Sequence, residues 1–417
     1  MRRSHQVAIS MSLVLGAAAC EGKIVNSNGD GDGGNGNDAS EIDAPGPPPI
    51  PADCLESANR GVAWLVTQQN ADGSWGQSVK VATTGFAVLK LETYAAEIGM
   101  SPFDPGFIYV NQVRTGLDFL FLRAQPTAIS PQLAGNPDSN GNGMGIMWSG
   151  LMYENAISLM AVAAGAEPDR LVTTAGSPVM GRTFRAVVAD SVDYFSFAQS
   201  DSAQSSAGSC TRGGWRYNAF DRNPAAGDNS VTQFATLALE YARHPLYKYE
   251  NVIPEWVMTE LRDWATCVQN HDGDINDGAS GYTAPREIPN AYKTGALIQQ
   301  ASFLGDTPNT PNVGRAVGYL ARVWADTSGL GWRRAPVSDY LSMYSIMKGM
   351  ESMAITDLGG VNWYREFCDQ LKAEQLPDGS WPPSQYEQER VGASGIMSTE
   401  WALLVLERAA PPPEIIP

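Results

Sequence analysis

The sequence predicts an all-α protein: a single (α/α)6 toroid, six pairs of helices in two concentric layers, carried behind a disordered tether. Three observations predict it. A helix ending in Gln, an Asp-Gly turn and a Trp occurs near both ends of the chain. A helix of smaller, more apolar residues follows each such turn. No period-two alternation marks a strand anywhere between them.

The first 20 residues form a targeting segment. Met1-Arg2-Arg3 supplies positive charge, Val7 to Ala19 is apolar and small, and Cys20 follows three alanines. The stretch is too short to span a bilayer and has the layout of a secretory signal. A cysteine directly after small residues resembles a bacterial lipoprotein cleavage box, so lipidation at Cys20 is expected; Ala17 stands where that box usually has Leu. Glu21 follows Cys20 in place of the aspartate that retains such proteins at the inner membrane. The expected location is therefore the outer membrane, on its periplasmic or cell-surface side.

Residues 21–52 form a tether rich in Gly, Asn, Asp and Pro, which lacks the apolar surface to fold. Residues 53–410 form the toroid, and 411–417 a Pro-rich tail. Helices are expected at 53–69, 80–98, 107–124, 151–165, 181–199, 229–243, 254–269, 288–304, 312–325, 337–354, 361–375 and 396–409. Those before the turns are amphipathic, as in Trp256, Leu261, Trp264 and Val268; those after are apolar throughout, as in Thr399 to Leu406.

The repeat is clearest in Arg60-Gly61, Trp64-Leu65, Gln69, Gly73 and Trp75, and again in Gln375, Gly379 and Trp381. Weaker echoes are Gly213-Gly214-Trp215-Arg216-Tyr217, Gly281-Tyr282 and Gly329-Leu330-Gly331-Trp332. These residues resemble the QW motif of squalene–hopene cyclases and the repeats of prenyltransferase/squalene-oxidase proteins, within the terpenoid-cyclase and protein-prenyltransferase toroids. The resemblance implies that Gln69, Gly73, Trp75, Gln375, Gly379 and Trp381 are structural. Four cysteines remain beyond Cys20, and they allow three pairings. The ring implied by the resemblance makes the outer helices ending near Cys210 and Cys267 neighbours, which favours that disulfide.

The chemistry of those families is missing. Hopene-type cyclases use an Asp-x-Asp-Asp acid, and the matching place reads Asp228-Asn229-Ser230-Val231. Protein prenyltransferases hold zinc with Asp-x-Cys and His; here Ser230 stands for the Cys. Only His5, His244 and His271 exist in the chain, so no metal and no cofactor are expected. A formal charge of −17 excludes nucleic acid as a partner. Asp138 to Gly143 fits the first half of an EF-hand loop, but Ser149 stands at the twelfth position, and the stretch reads as a polar surface loop.

What remains is a set of acids near inner-helix starts. Asp228, Glu154, Asp339 and Glu400 are the candidate catalytic groups. Tyr153, Glu154, Asp228, Gln233, Tyr340, Tyr344 and Trp401 are the candidate ligand-cavity residues. An acid at a helix start also caps backbone amides, which is the alternative role for each. Two functions follow. One is an exported lipoprotein that binds an apolar or extended ligand, lipid or glycan, without chemistry, and meets the membrane through its lipid. The alternative is an enzyme using cavity carboxylates, on an isoprenoid or on a polysaccharide as a lyase or hydrolase.

Overall fold

A computed structural model describes residues 49–200, 210–222 and 227–411. The described residues belong to one compact unit that begins at Pro47. The signal segment, Cys20, nearly all of the tether and all of the tail but Pro411 lie outside the described residues.

The outer helices are α1 (Ala52–Val66), α3 (Val110–Phe121), α5 (Phe184–Ala198), α7 (Glu255–Val268), α9 (Pro311–Val323) and α11 (Trp363–Glu374). The inner ones are α2 (Lys80–Glu97), α4 (Met152–Ala164), α6 (Asn229–Arg243), α8 (Ala291–Phe303), α10 (Tyr340–Ser352) and α13 (Ile396–Leu406). Each inner helix packs on the next, and α13 packs back on α2, so the inner ring closes. Because one outer helix returns the chain between successive inner ones, all six inner helices run in the same direction.

Burial follows this arrangement. α9 buries Val313, Ala316, Tyr319, Leu320 and Val323, one stripe of a helix, whereas every residue of α13 is buried. The seam between α8 and α10 is tightest at two glycines. A Cβ on Gly295 would lie 2.7 Å from the Ile346 backbone, and one on Gly349 2.6 Å from the Gly295 carbonyl.

Two elements were not foreseen in the sequence. A hairpin of β1 (Gln125–Ala128) and β2 (Met144–Met147) pairs antiparallel, Gln125 opposite Met147, and β2 packs on α5. Its second strand, Met-Gly-Ile-Met, carries no alternation to betray it. A short helix, α12 (Gln385–Arg390), precedes α13 and is capped by Ser384.

Neighbouring outer helices are joined by one device used four times. Gln69 at the end of α1 donates to the carbonyls of Gly73 (3.0 Å) and Gln112 in α3 (3.1 Å). Gln199 spans Gly213 and Val257 of α7 at 2.9 and 3.0 Å, and Gln269 spans Gly278 and Asn312 of α9 at 3.2 and 2.8 Å. Gln375 spans Gly379 and Ser57 of α1 at 2.8 and 2.9 Å, closing the outer ring. The indole of Trp75, Trp215 or Trp381 donates to a last-turn carbonyl of the preceding outer helix, Leu65, Phe195 or Leu371, each at 2.8 Å. The same three Trp amides donate to Thr84, Thr232 and Thr399 at the start of the following inner helix.

The turn glycine completes the device. Gly213 has φ +80°, and a Cβ there would fall 1.7 Å from the Glu260 carbonyl. The closing seam is reinforced by a Cys54–Cys368 disulfide and by Arg365 and Lys372 on Asp53. These two cations hold the Asp53 carboxyl well below the usual range. A second disulfide joins Cys210 to Cys267, with Cα atoms 5.8 Å apart.

Gln199→Ala strands two inward carbonyls, which should cost about 2–4 kcal/mol in urea unfolding. Gln68→Ala, which loses only an exposed local bond to Thr67, should stay within about 0.5 kcal/mol of wild type. Equal effects from the two would contradict the seam role.

Candidate functional site at the mouth of the inner ring

Three aromatic rings from alternate inner helices meet across the bore. Phe86 (α2), Phe234 (α6) and Tyr344 (α10) lie 5.9–6.1 Å apart between centroids, and all are buried. They form a floor. Above it open the N-terminal ends of the inner helices, whose aligned dipoles favour negative charge there.

Asp228 occupies that end of α6. Its Oδ1 accepts from the amides of Ser230 (2.9 Å) and Val231 (3.3 Å) and from the Ser230 hydroxyl, so one oxygen caps the helix. Because Ser230 donates to Asp228, the Tyr153 hydroxyl donates to Ser230, giving a relay Tyr153–Ser230–Asp228. The other oxygen, Oδ2, is buried without a hydrogen-bond partner among the described residues, with Arg216 Nη1 at 3.9 Å. A carboxylate oxygen so placed is available to something entering the mouth.

Tyrosines roof this group. Tyr217 and Tyr282 share a hydrogen bond of 2.6 Å between their hydroxyls. Tyr153 lies with its ring 6.0 Å from that of Tyr217 and 5.2 Å from Phe234, which joins roof to floor. Tyr217 is 37% exposed and Tyr386 40%, so aromatic faces are open to solvent at the rim. Burial, and after it the Asp228 carboxylate, raises the Tyr282 hydroxyl; burial, Tyr386 and Asp228 raise Tyr292.

Asp339 repeats the arrangement on α10. Its Oδ1 accepts from the Ser342 amide (3.1 Å), and Oδ2 lies 3.2 Å from Arg334. The equivalence is geometric: the amides of Asp228 and Asp339 donate to the carbonyls of the repeat tryptophans Trp215 (2.8 Å) and Trp332 (3.0 Å). Between them, at the start of α8, sits buried Lys293. Burial pulls its ammonium down to about 8 against the opposing pull of Asp228 and Asp339.

Of the residues expected at the site, Tyr153 and Asp228 come together, and Asp339 lies on the far side of Lys293. Tyr344 is in the floor, and Gln233 beside it accepts from Ser345 (2.9 Å). Trp401 packs on Tyr386 at 5.8 Å. Three others lie elsewhere. Glu154 is buried in the first turn of α4, and Arg123, whose guanidinium donates to the Phe119 carbonyl, feels its charge after that of Asp72. Tyr340 donates to Glu374 (2.6 Å) within the wall between α10 and α11. Glu400 is wholly buried, and its carboxyl is raised by burial and by Glu387 of α12.

Arg216, Tyr217, Tyr282, Tyr292, Lys293, Arg334 and Tyr386 were not among the expected site residues. A signal existed for three of them. Ser280 takes the place of the repeat Trp, its amide donating to Thr294 (3.1 Å) as Trp215 does to Thr232. The residue two past that place is Tyr217, Tyr282 or Arg334, and each faces the mouth.

No family profile matches the chain, and no curated protein does. Solved structures do. The α-1,6-mannanase GH76A of Salegentibacter sp. superposes with TM-score 0.52 at 10% identity, over 85% of this chain and 98% of that one. Dfg5 from Chaetomium thermophilum, solved with glucosamine, gives TM-score 0.50 at 15% identity over 86% and 92%. These likenesses carry the fold: an (α/α)6 toroid.

They also correct the sequence reading. The resemblance to terpenoid-cyclase and prenyltransferase repeats does not hold: these structural neighbours are a mannanase and a glucosamine-bound protein. The physical reason is that the QW residues fasten outer helices, a task any toroid of this spacing must perform, and carry no chemistry. With that resemblance falls the expectation of a non-catalytic ligand-binding scaffold. One mannanase form in complex with mannotriose is an inactive variant changed at two consecutive aspartates. In the present chain no two acidic residues are adjacent anywhere.

Lys293 titrates near 8 in the folded chain against an ordinary 10.5. The unfolded chain binds the extra proton between those values, so this lysine's contribution to stability rises as pH climbs from about 8 to about 10.5. Melting temperatures of wild type should therefore gain on those of Lys293→Met across that window. A constant difference would contradict the burial of Lys293 beside two aspartates.

Proposed function

We propose that the chain hydrolyses a neutral glycan laid across the N-terminal face of its inner ring. The observation that carries the reading is the Asp228 carboxylate, one oxygen fixed by its helix and the other turned toward Arg216 beneath a roof of tyrosines. Flat tyrosine faces at the rim suit the apolar faces of sugar rings, while a few convergent polar groups set orientation. The fold, shared with a mannanase and with a protein solved with glucosamine, supports a glycan over an isoprenoid.

Asp228 is the acceptor: the oxygen not bound to its helix draws a proton from water or attacks the anomeric carbon. Asp339, across Lys293, is the partner carboxyl: in its protonated form it gives a proton to the glycosidic oxygen as the bond from that oxygen to the anomeric carbon breaks, and it regains one from the water that is added. Arg216 and Arg334 hold these aspartates, and the Tyr153–Ser230 relay fixes the first of them. The local cations face carboxylates of the protein itself, and the chain carries a net −17. That balance disfavours a polyanionic glycan and with it the lyase alternative. Export, with lipidation at Cys20, would place this chemistry in the cell envelope, where polysaccharides occur and two disulfides persist.

Purified full-length chain incubated with neutral polysaccharides, α-1,6-mannan first, should release new reducing ends. Asp228→Asn should lower that rate roughly 10²–10⁴-fold with an unchanged circular dichroism spectrum. Tyr386→Ala should raise KM more than it lowers kcat. Undiminished cleavage by Asp228→Asn would remove the assignment.

A further inference from the structure

Away from the mouth, the loop 138–143 leads into β2 and lies against the outer helix α5. Asp138, Asn140 and Asn142 stand at alternate positions with Gly143 sixth, the first half of a calcium loop. The loop is wound about its first residue. Asp138 Oδ1 accepts from the Gly141 (2.8 Å) and Asn142 (3.2 Å) amides, and Oδ2 from Gly143 (2.8 Å). In sequence the carboxylate that should close such a loop is absent, since Ser149 stands twelfth.

The fold supplies it from another place. Asp190 and Asp193, one turn apart on α5, face the loop. The amides of Asn140 and Asn142 donate to Asp190 Oδ1 at 2.8 and 3.1 Å, and the Ser139 amide donates to Asp193 Oδ1 at 3.2 Å. Arg182 takes the other oxygen of Asp190 at 2.7 Å, leaving Oδ1 to the loop. Asp193 is wholly buried, and its Oδ2 has no partner among the described residues. Such a carboxylate oxygen is costly unless something charged completes it.

We propose that loop 138–143 and α5 form a calcium site, with Asp138, Asn140 and Asn142 from the loop and Asp190 and Asp193 from the helix. Turning the two asparagine amides about their terminal bond exchanges the nitrogen now facing Asp190 for an oxygen. An all-oxygen set with two neutral amides and an adaptable loop suits calcium better than magnesium, which demands rigid octahedral geometry. A second Asp-rich stretch provides the contrast. Asp272 is taken by Arg286 at 2.6 Å and Asp277 by Arg315 at 3.0 Å, so neither is left for an ion.

The cation would fasten the hairpin to α5. From β2 the chain runs directly to Trp148 and Ser149, whose amides donate to Asn155 of α4 at 2.6 and 3.0 Å. It thus reaches Tyr153 at the mouth within six residues of β2, and the ion steadies one wall of the site without entering it.

Full-length chain is stripped with a chelator, then titrated with calcium chloride by calorimetry and melted with and without the ion. Saturating calcium should give a binding isotherm and raise Tm by roughly 3–6 °C. Magnesium at equal concentration should do markedly less. Asp138→Asn, on the loop surface, and Asp193→Asn, in the core, should each abolish the rise, while Asp272→Asn keeps it. Absence of both isotherm and Tm shift in the wild type overturns the proposal. So does a shift that survives both loop and helix variants, or one that magnesium reproduces in full.

Discussion

A glutamine amide at the end of an outer helix, reaching the first turn of the next one, is the constraint on which the rest of the structure depends. The outer helices are amphipathic and the inner ones apolar, but burial alone does not fix where one pair stops and the next begins. The amide does, because it must satisfy two particular carbonyls at once, one in its own turn and one in the neighbour. At Gln375 the same bond joins the last outer helix to the first. Each such pair contributes only about 1–3 kcal/mol, yet together with the Cys54–Cys368 bridge it makes the ring a closed object. The repeat Trp then ties each turn to its inner helix through a Thr hydroxyl, so the spacing of the outer layer is passed inward.

That spacing is what creates a mouth. Because every inner helix begins at the same face, their N-terminal amides gather there, and acids are stabilised at their caps. Asp228 and Asp339 each cap a helix through one oxygen and turn the other toward an arginine, Arg216 or Arg334, so capping leaves one oxygen of each carboxylate uncommitted to the helix. The rings of Phe86, Phe234 and Tyr344 meet across the axis of the inner ring beneath them and close it. Beyond the floor the ring interior is polar again, with Lys348 donating to Tyr241 at 3.1 Å and pulled down to about 7 by burial.

The helices were legible because period and punctuation agreed: Gln, Gly and Trp within seven residues announce a turn at residues 69–75 and again at 375–381. Two other seams use the same glutamine but were hidden. Fourteen residues separate Gln199 from Gly213, and Ser280 replaces the Trp after Gln269. The site was only partly legible. Asp228 and Tyr153 could be named because they begin inner helices, whereas Tyr217, Tyr282 and Arg334 lie in turns whose direction depends on the closed ring. Tyr340 sits at a helix start as well, but its hydroxyl turns outward to Glu374 of α11. The acids facing loop 138–143 come from a helix about 50 residues later, a distance no local motif can bridge. The family resemblance misled for a related reason: it read the fastening of the toroid as a sign of its chemistry.

If the mouth of the ring hydrolyses a glycan, water is added there across a glycosidic bond. The most direct measurement is mass spectrometry of the products formed from α-1,6-mannan in H₂¹⁸O. Hydrolysis predicts that, of the two fragments made at each cut, the one with the new reducing end carries one heavy oxygen at early times, before solvent exchange at that end labels the uncut control. Unshortened glycan, or shortened product without the label, would contradict it.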